Sequence, residues 1–336
     1  MRVEALAAAE CVACQVNADE DRYGELASRL KSRAPTAAVT IARGSSDHAA
    51  GYFAFLSLVR GGHLVTSLPM SSVTLYRAPI SAADLLVVSM SQSGRSPDLC
   101  MPVERFRAGG ATTVAFVNET SSPLASAAEW VIPLHAGTER SVAATKSFVC
   151  SLVAGARLVA NWSGDSELMS AVRDLPEALR GACGQDWSGA LEVLRDAQRI
   201  MVIGRGTGLA VAQEAALKFK ETCGIQAEAF SSAEVKHGPM ALVEAGYPML
   251  IFAPRGPAQA DLLALSRDMR ERGARVLLAA PADVGERQLT LTKAMTPDLD
   301  PVAAIQSFYL MVEALARSRG FDPDTPRHLQ KVTSTL

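Results

Sequence analysis

Four groups of residues in this 336-residue chain have the types and spacing to do chemistry. The first is the loop SMSQSGRS at 89–96, which follows the apolar run 85–88 and precedes Pro97. A strand, a hydroxyl-rich turn and a proline at a first helical position together build an anion pocket. Ser96 is expected to cap the helix, Pro97 forfeits no needed N–H, and the remaining amides point at the bound group. Neutral hydroxyls and amides suit a phosphate monoester; the lysine of a nucleotide-binding loop is absent. The second group is Glu214, Lys218 and Glu221, which share one face of a helix over 213–221. Such a face reads plainly as a solvated, ion-paired stripe, or chemically as a carboxylate base tuned by a lysine. The third is His237 in Lys-His-Gly-Pro at 236–239, either a surface histidine or an acid–base group fixed by its neighbours. The fourth is Lys331, at the end of the tail segment 324–331. It is either part of a disordered tail or an amine nucleophile for a carbonyl.

These groups need a scaffold, and the chain supplies one twice. Residues 39–46 (VTIARGSS) resemble residues 201–208 (MVIGRGTG), and Gly62, Asp98, Gly110 and Ala111 find counterparts in Gly224, Asp261, Gly273 and Ala274. The copies lie about 160 residues apart, as expected of an internal duplication. Apolar strands are expected near 38–42, 63–67, 85–89, 112–117 and 130–134, and again near 199–204, 226–230, 248–253, 274–279 and 289–292. Strands of this kind separated by helices argue for parallel sheets covered on both faces, with ligands beyond the carboxyl ends of the strands. The second copy has Thr207–Gly208 and Pro-Arg-Gly at 254–256 where the first has Ser45, Ser46 and Ser91–Ser93, so one phosphate site, in the first half, is expected. The glycines at 204, 206 and 208 do not make a dinucleotide fingerprint, because Leu209 stands where a third Gly or Ala is required.

Bulk properties narrow the class. A net charge of −2 without a basic stripe argues against nucleic acid, and no apolar run approaches the length of a membrane span. Six dispersed cysteines read as reduced cytoplasmic thiols, and neither they nor the five histidines have metal-ligand spacing. No metal and no cofactor is expected.

Together SQSG at 91–94, GTERSVAATKSF at 137–148, ALKFKE at 216–221, AEVKHGP at 233–239 and DTPRHLQK at 324–331 resemble the double sugar-isomerase (SIS) domain family. In particular they resemble the isomerase half of the glutamine–fructose-6-phosphate amidotransferases (glucosamine-6-phosphate synthases). The resemblance implies an α/β fold of two tandem SIS domains, each a flavodoxin-like parallel sheet with helices on both faces. The boundaries expected are a helical leader at 1–33, a first, sugar-phosphate-binding SIS domain at 34–165, a helical connector at 166–190, a second, catalytic SIS domain at 191–320 and a tail at 321–336. It further implies that Ser45, Ser46, Ser91, Gln92, Ser93, Ser96 and the Val142 backbone hold a sugar phosphate. Glu221 would shuttle a proton between C1 and C2, with Glu214 and Lys218 in support. His237 would open the ring from the neighbouring subunit of a homodimer, and Lys331 would form a Schiff base at C2.

The chain departs from that family in lacking the glutaminase domain, in carrying Arg95 after Ser-Gln-Ser-Gly in place of Glu, and in a tail one residue out of step. Without an ammonia source of its own, the expected activity is that of a cytoplasmic glucosamine-6-phosphate deaminase. Alternatives are a galactosamine-6-phosphate deaminase, a fructosamine-phosphate deglycase, an ammonia-dependent synthase and a sugar-phosphate sensor without turnover.

Overall fold

The structure, a computed structural model, describes residues 1–331. It resolves into two compact units, one of residues 10–139, 146–173 and the tail from 330, the other of residues 1–9, 140–145 and 174–329. The chain opens with three helices, α1 (Arg2–Leu6), α2 (Ala8–Val16) and α3 (Glu20–Ser32).

The first unit is built on strands β1 (Ala37–Ile41), β2 (Val65–Ser67), β3 (Leu85–Ser91), β4 (Thr112–Val117) and β5 (Trp130–Pro133). All pair in parallel in the order β2-β1-β3-β4-β5. Between and after them run α4 (Ser45–Gly61), α5 (Ser71–Thr74), α6 (Pro97–Ala108), α7 (Pro123–Ala127) and α8 (Lys146–Ser163), followed by α9 (Ser166–Cys183). One face of the sheet buries Ile41, Val87 and Ala115 against Leu99, Val103 and Phe106 of α6 and Leu124 of α7. On the other, α4 packs on β1 and β3 and against α8. β3 and β4 are buried at nearly every position, which is why they read as unbroken apolar runs rather than alternations. β3 runs two residues further than expected, so Ser91 ends the strand instead of opening the loop.

The second unit repeats the design. After α10 (Gly189–Leu194) come β6 (Arg199–Gly204), α11 (Thr207–Cys223), β7 (Gln226–Ser231), α12 (Ser232–Val235), β8 (Pro248–Phe252), α13 (Gln259–Glu271), β9 (Arg275–Pro281), β10 (Leu289–Leu291) and α14 (Asp300–Ser318). The parallel order is β10-β9-β8-β6-β7, the first sheet's order read from the other edge. The duplication extends to backbone detail. Gly44 and Gly206 precede α4 and α11 with φ 54° and 60° and the same ψ of −132°, and Gly62 and Gly224 end those helices in the left-handed region. A side chain is strained at each of these positions. Residues 297–318, which contain α14, are long and apolar enough to cross a bilayer by length and composition, but 89% of that apolar window is buried inside the molecule. Here they form a core helix.

Candidate active site

The strand order of the first sheet reverses direction between β1 and β3, and in open parallel sheets the crevice beyond that point receives ligands. A cleft of about 340 Å³ lies there. Arg43, Gly44 and Ser46 line it from the turn after β1, Ser91, Gln92, Ser93 and Ser96 from the turn after β3, and Lys331 from the tail. The N-termini of α4 and α6 both begin in these turns, so two helix dipoles present their positive ends to the cleft.

The turn after β3 is held tightly. The Ser91 hydroxyl accepts the Gly94 N–H at 3.0 Å, and the Gly94 carbonyl accepts the Leu124 N–H at 3.0 Å. Gly94 has φ 62°, and a Cβ there would stand 2.1 Å from the Ser122 hydroxyl oxygen, so only glycine fits. Ser96 occupies the N-cap position with extended backbone and Pro97 follows at the first helical position. The expected capping bond from its side chain does not form; the Ser96 carbonyl instead accepts the Leu99 N–H at 3.1 Å. Backbone geometry starts this helix, and the hydroxyl lines the cleft. Ser45 is half-buried as the first residue of α4, and Arg95 is exposed.

Lys331 enters through an ion pair. Its Nζ lies 3.0 Å from Glu139 Oε2. The Glu139 side chain is wholly buried and reaches the start of α8, where its carboxylate accepts the Ser147 N–H at 3.1 Å and the Ser147 hydroxyl at 2.6 Å. Sequence reasoning missed both Glu139 and Arg43. Glu139 lies inside the GTERSVAATKSF segment, and Arg43 inside the duplicated Arg-Gly turn, which are the only signals that could have singled them out. A neighbouring cleft of about 580 Å³ is lined by Asn118, Glu119, Thr120, His135, Thr138 and Glu139, and shares Gln92 with the first.

The second unit gathers the other titratable group. On α11 the Lys218 ammonium lies 3.3 Å from Glu214 and contacts the Glu221 carboxylate. Glu214 and Lys218 have no exposed side-chain surface and Glu221 keeps 19%. The solvated stripe is therefore corrected: the long α14 packs on α11, and its Tyr309 hydroxyl donates to Glu214 at 3.1 Å. Burial pushes the Lys218 pKa down, but Glu214 and then Glu221 outweigh it, and the net shift is upward. Lys218 is thus a fixed cation that holds the partly exposed Glu221 carboxylate in place. His237 is exposed between α12 and a 3-10 turn at Pro239–Leu242, with Gly238 beside it at φ 146°. Val142 is half-buried, and its N–H donates to the Asp324 carbonyl at 3.2 Å.

Comparison with known proteins fits this geometry. The SIS domain family model matches residues 33–160 and 193–314. The glutamine–fructose-6-phosphate aminotransferase [isomerizing] of Aeropyrum pernix is 34% identical over 320 residues, covering 88% of this chain and 50% of that protein. The chain spans about half the length of the curated relatives it matches. A Silicibacter pomeroyi DSS-3 protein inferred to be a phosphosugar isomerase superimposes with a TM-score of 0.91 at 40% identity, over 96% of this chain and 99% of that one. The C-terminal domain of glucosamine-fructose-6-phosphate aminotransferase from Francisella tularensis has the same fold, with a TM-score of 0.86 at 24% identity over 96% of each chain.

Proposed function

Since this chain belongs to the SIS domain family and is homologous to the isomerase half of the glutamine–fructose-6-phosphate aminotransferases, we propose that it is an aminosugar-phosphate isomerase acting as a deaminase. It converts glucosamine 6-phosphate and water to fructose 6-phosphate and ammonia, and the same groups serve the reverse direction. The phosphate sits against Ser46, Ser91, Gln92, Ser93 and Ser96, with Ser45 and the Val142 backbone completing the contacts. The Lys331 amine attacks C2 of the open ketose, forming a Schiff base with loss of water. Glu221 moves the proton between C1 and C2, steadied by Lys218 and Glu214, and His237 of a second copy in a homodimer opens the ring.

One observation carries this reading: a lysine amine lines the same cleft as the cluster of hydroxyls and helix N-termini. A cleft that only bound sugar phosphates would need the anion cradle but not the nucleophile. The test is borohydride reduction in the presence of fructose 6-phosphate, followed by peptide mass spectrometry. A reduced adduct on Lys331, lost in Lys331→Ala, supports the assignment. Binding of aminosugar phosphates across a panel without adduct or ammonia release favours the sensor.

The larger neighbouring cleft favours a second reading. Glu139 lines it and Lys331 lines the first, so a substrate held at Lys331 has room beside it for a substituent on the substrate's own nitrogen. A fructosamine phosphate would use that room, whereas ammonia would not. Faster turnover of an N-substituted than of an unsubstituted aminosugar phosphate would select the deglycase; a galactosamine epimer in the same panel tests the sugar's stereochemistry.

A further inference from the structure

Glu139 lies in an irregular segment between the first sheet and α8, and the proposed chemistry has not yet used it. Its carboxylate takes at least three bonds. Ser147 donates its N–H to Oε1 and its hydroxyl to Oε2, and the Lys331 ammonium meets that same Oε2. The side chain has no exposed surface, so water does not compete for these contacts.

The second copy also brings a buried carboxylate to the helix after its sheet, beside a loop that has lost the hydroxyls. Asp300 begins α14, the helix that follows β10, whereas Glu139 lies ahead of α8, the helix that follows β5, and reaches its first turn through Ser147. Asp300 is buried and grips Arg255 twice, at 2.8 and 2.7 Å. In the duplication Arg255 stands where the first copy has Gln92. The first copy has a buried carboxylate too, but a neutral amide where the second copy's loop carries its cation. The cation that Glu139 holds comes from the tail.

We propose that Glu139 is the positioning residue of the amine: it aims the Lys331 Nζ into the cleft and carries its proton. This rests on the reading of Lys331 as the Schiff-base lysine. The ammonium gives a proton to Glu139 Oε2 and becomes a neutral amine. The amine's electron pair forms the bond to C2 while the carbonyl's π pair moves to oxygen. The proton returns through Glu139 to that oxygen, giving a carbinolamine. A second proton, released by the newly bonded nitrogen, reaches the same oxygen through the carboxylate, and water leaves as the nitrogen's electron pair forms the C=N bond of a protonated Schiff base. No redox partner or further reactant is needed.

The experiment compares the full-length chain with Glu139→Gln, Glu139→Asp and Ser147→Ala. Each is read by the rate of borohydride-trapped adduct with fructose 6-phosphate, by kcat and KM for ammonia release from glucosamine 6-phosphate, and by inorganic phosphate binding. Glu139→Gln is expected to slow trapping and kcat by about 100-fold, the range of a lost proton carrier, with KM and phosphate binding within about 2-fold of wild type. Glu139→Asp should restore part of the rate, and Ser147→Ala should lose less, because the carboxylate remains. Bound phosphate with an unchanged urea midpoint establishes that each variant is folded. Wild-type trapping rates in Glu139→Gln overturn the role of Glu139 and leave that of Lys331 standing. A parallel loss of kcat, phosphate binding and urea midpoint, unrelieved by Asp, reduces Glu139 to a structural buttress and also overturns the proposal. Absence of any adduct on wild-type Lys331 overturns both readings.

Discussion

Arg43 Nε stands 3.0 Å from the Asp98 carboxylate, and the second unit repeats the pair as Arg205 and Asp261 at 2.8 Å. The pairs share an origin but not an environment. Asp98 is 1% exposed, whereas the Asp261 side chain is 62% exposed. A charged hydrogen bond to a buried carboxylate is worth about 1.5–3 kcal/mol, and an exposed pair about 0–1 kcal/mol. Asp98→Asn is therefore expected to lower stability by about 2 kcal/mol and Asp261→Asn by less than about 1 kcal/mol. Urea denaturation of the two variants checks the difference; equal losses would contradict it.

Gly94→Ala should damage both stability and ligand binding. The left-handed backbone alone costs a side chain about 1–2 kcal/mol, and the added Cβ must also displace Ser122. Because the Ser91 hydroxyl is fixed through the Gly94 N–H, the turn proposed to hold the phosphate should loosen with it. Calorimetric titration with fructose 6-phosphate should show at least a tenfold weaker Kd, about 1.4 kcal/mol.

On α11 the two kinds of carboxylate separate. Lys218→Met leaves the buried Glu214 without its cation and should cost about 3–5 kcal/mol in urea denaturation. Glu221→Gln keeps most of the packing and should leave the urea midpoint nearly unchanged. The same variant should still bind sugar phosphate yet no longer exchange the C2 proton with deuterium from solvent, as read by proton NMR. Retained exchange would remove Glu221 from its assigned role.

The cysteines should divide by accessibility and by the ease of forming thiolate. Burial raises the Cys223 thiol to about 11 and holds the Cys150 thiol well above its ordinary value, while Cys14 is exposed. Thiolate is the reactive form, so iodoacetamide at pH 8 should label Cys14 in the native protein and spare Cys150 and Cys223 until urea is added. Peptide mass spectrometry distinguishes the sites.

The sheets were legible because their strands are buried on both faces and leave unbroken apolar runs; all ten strands fall within a few residues of their expected places. The turn after β3 was legible too, because turn chemistry is local: Pro97 at the first helical position and Ser96 before it are read from neighbouring residues. What depends on distant packing was not legible. Helical spacing put Glu214 and Lys218 on one face, but only α14 and Tyr309 make that face interior. Glu139 sits in a segment with no periodicity, and its meaning comes from Ser147 and from Lys331, which is 192 residues away in sequence. The Ser96 capping bond was a reasonable expectation from residue type, but the side chain does not make it. The last five residues of the expected tail lie outside the described residues.

The clasp between Asp300 and Arg255 gives the molecule an internal standard. It is a carboxylate–cation contact of the same kind as the one at Lys331, with its carboxylate buried and no hydroxyl-rich turn beside it. Ionic strength, temperature or denaturant that loosens such contacts in general will perturb the Arg255 Nε–H resonance in a nitrogen-edited spectrum alongside the Lys331 ammonium. A change confined to Lys331 reports instead on what has entered the cleft, so occupancy can be followed against a reference built into the same polypeptide.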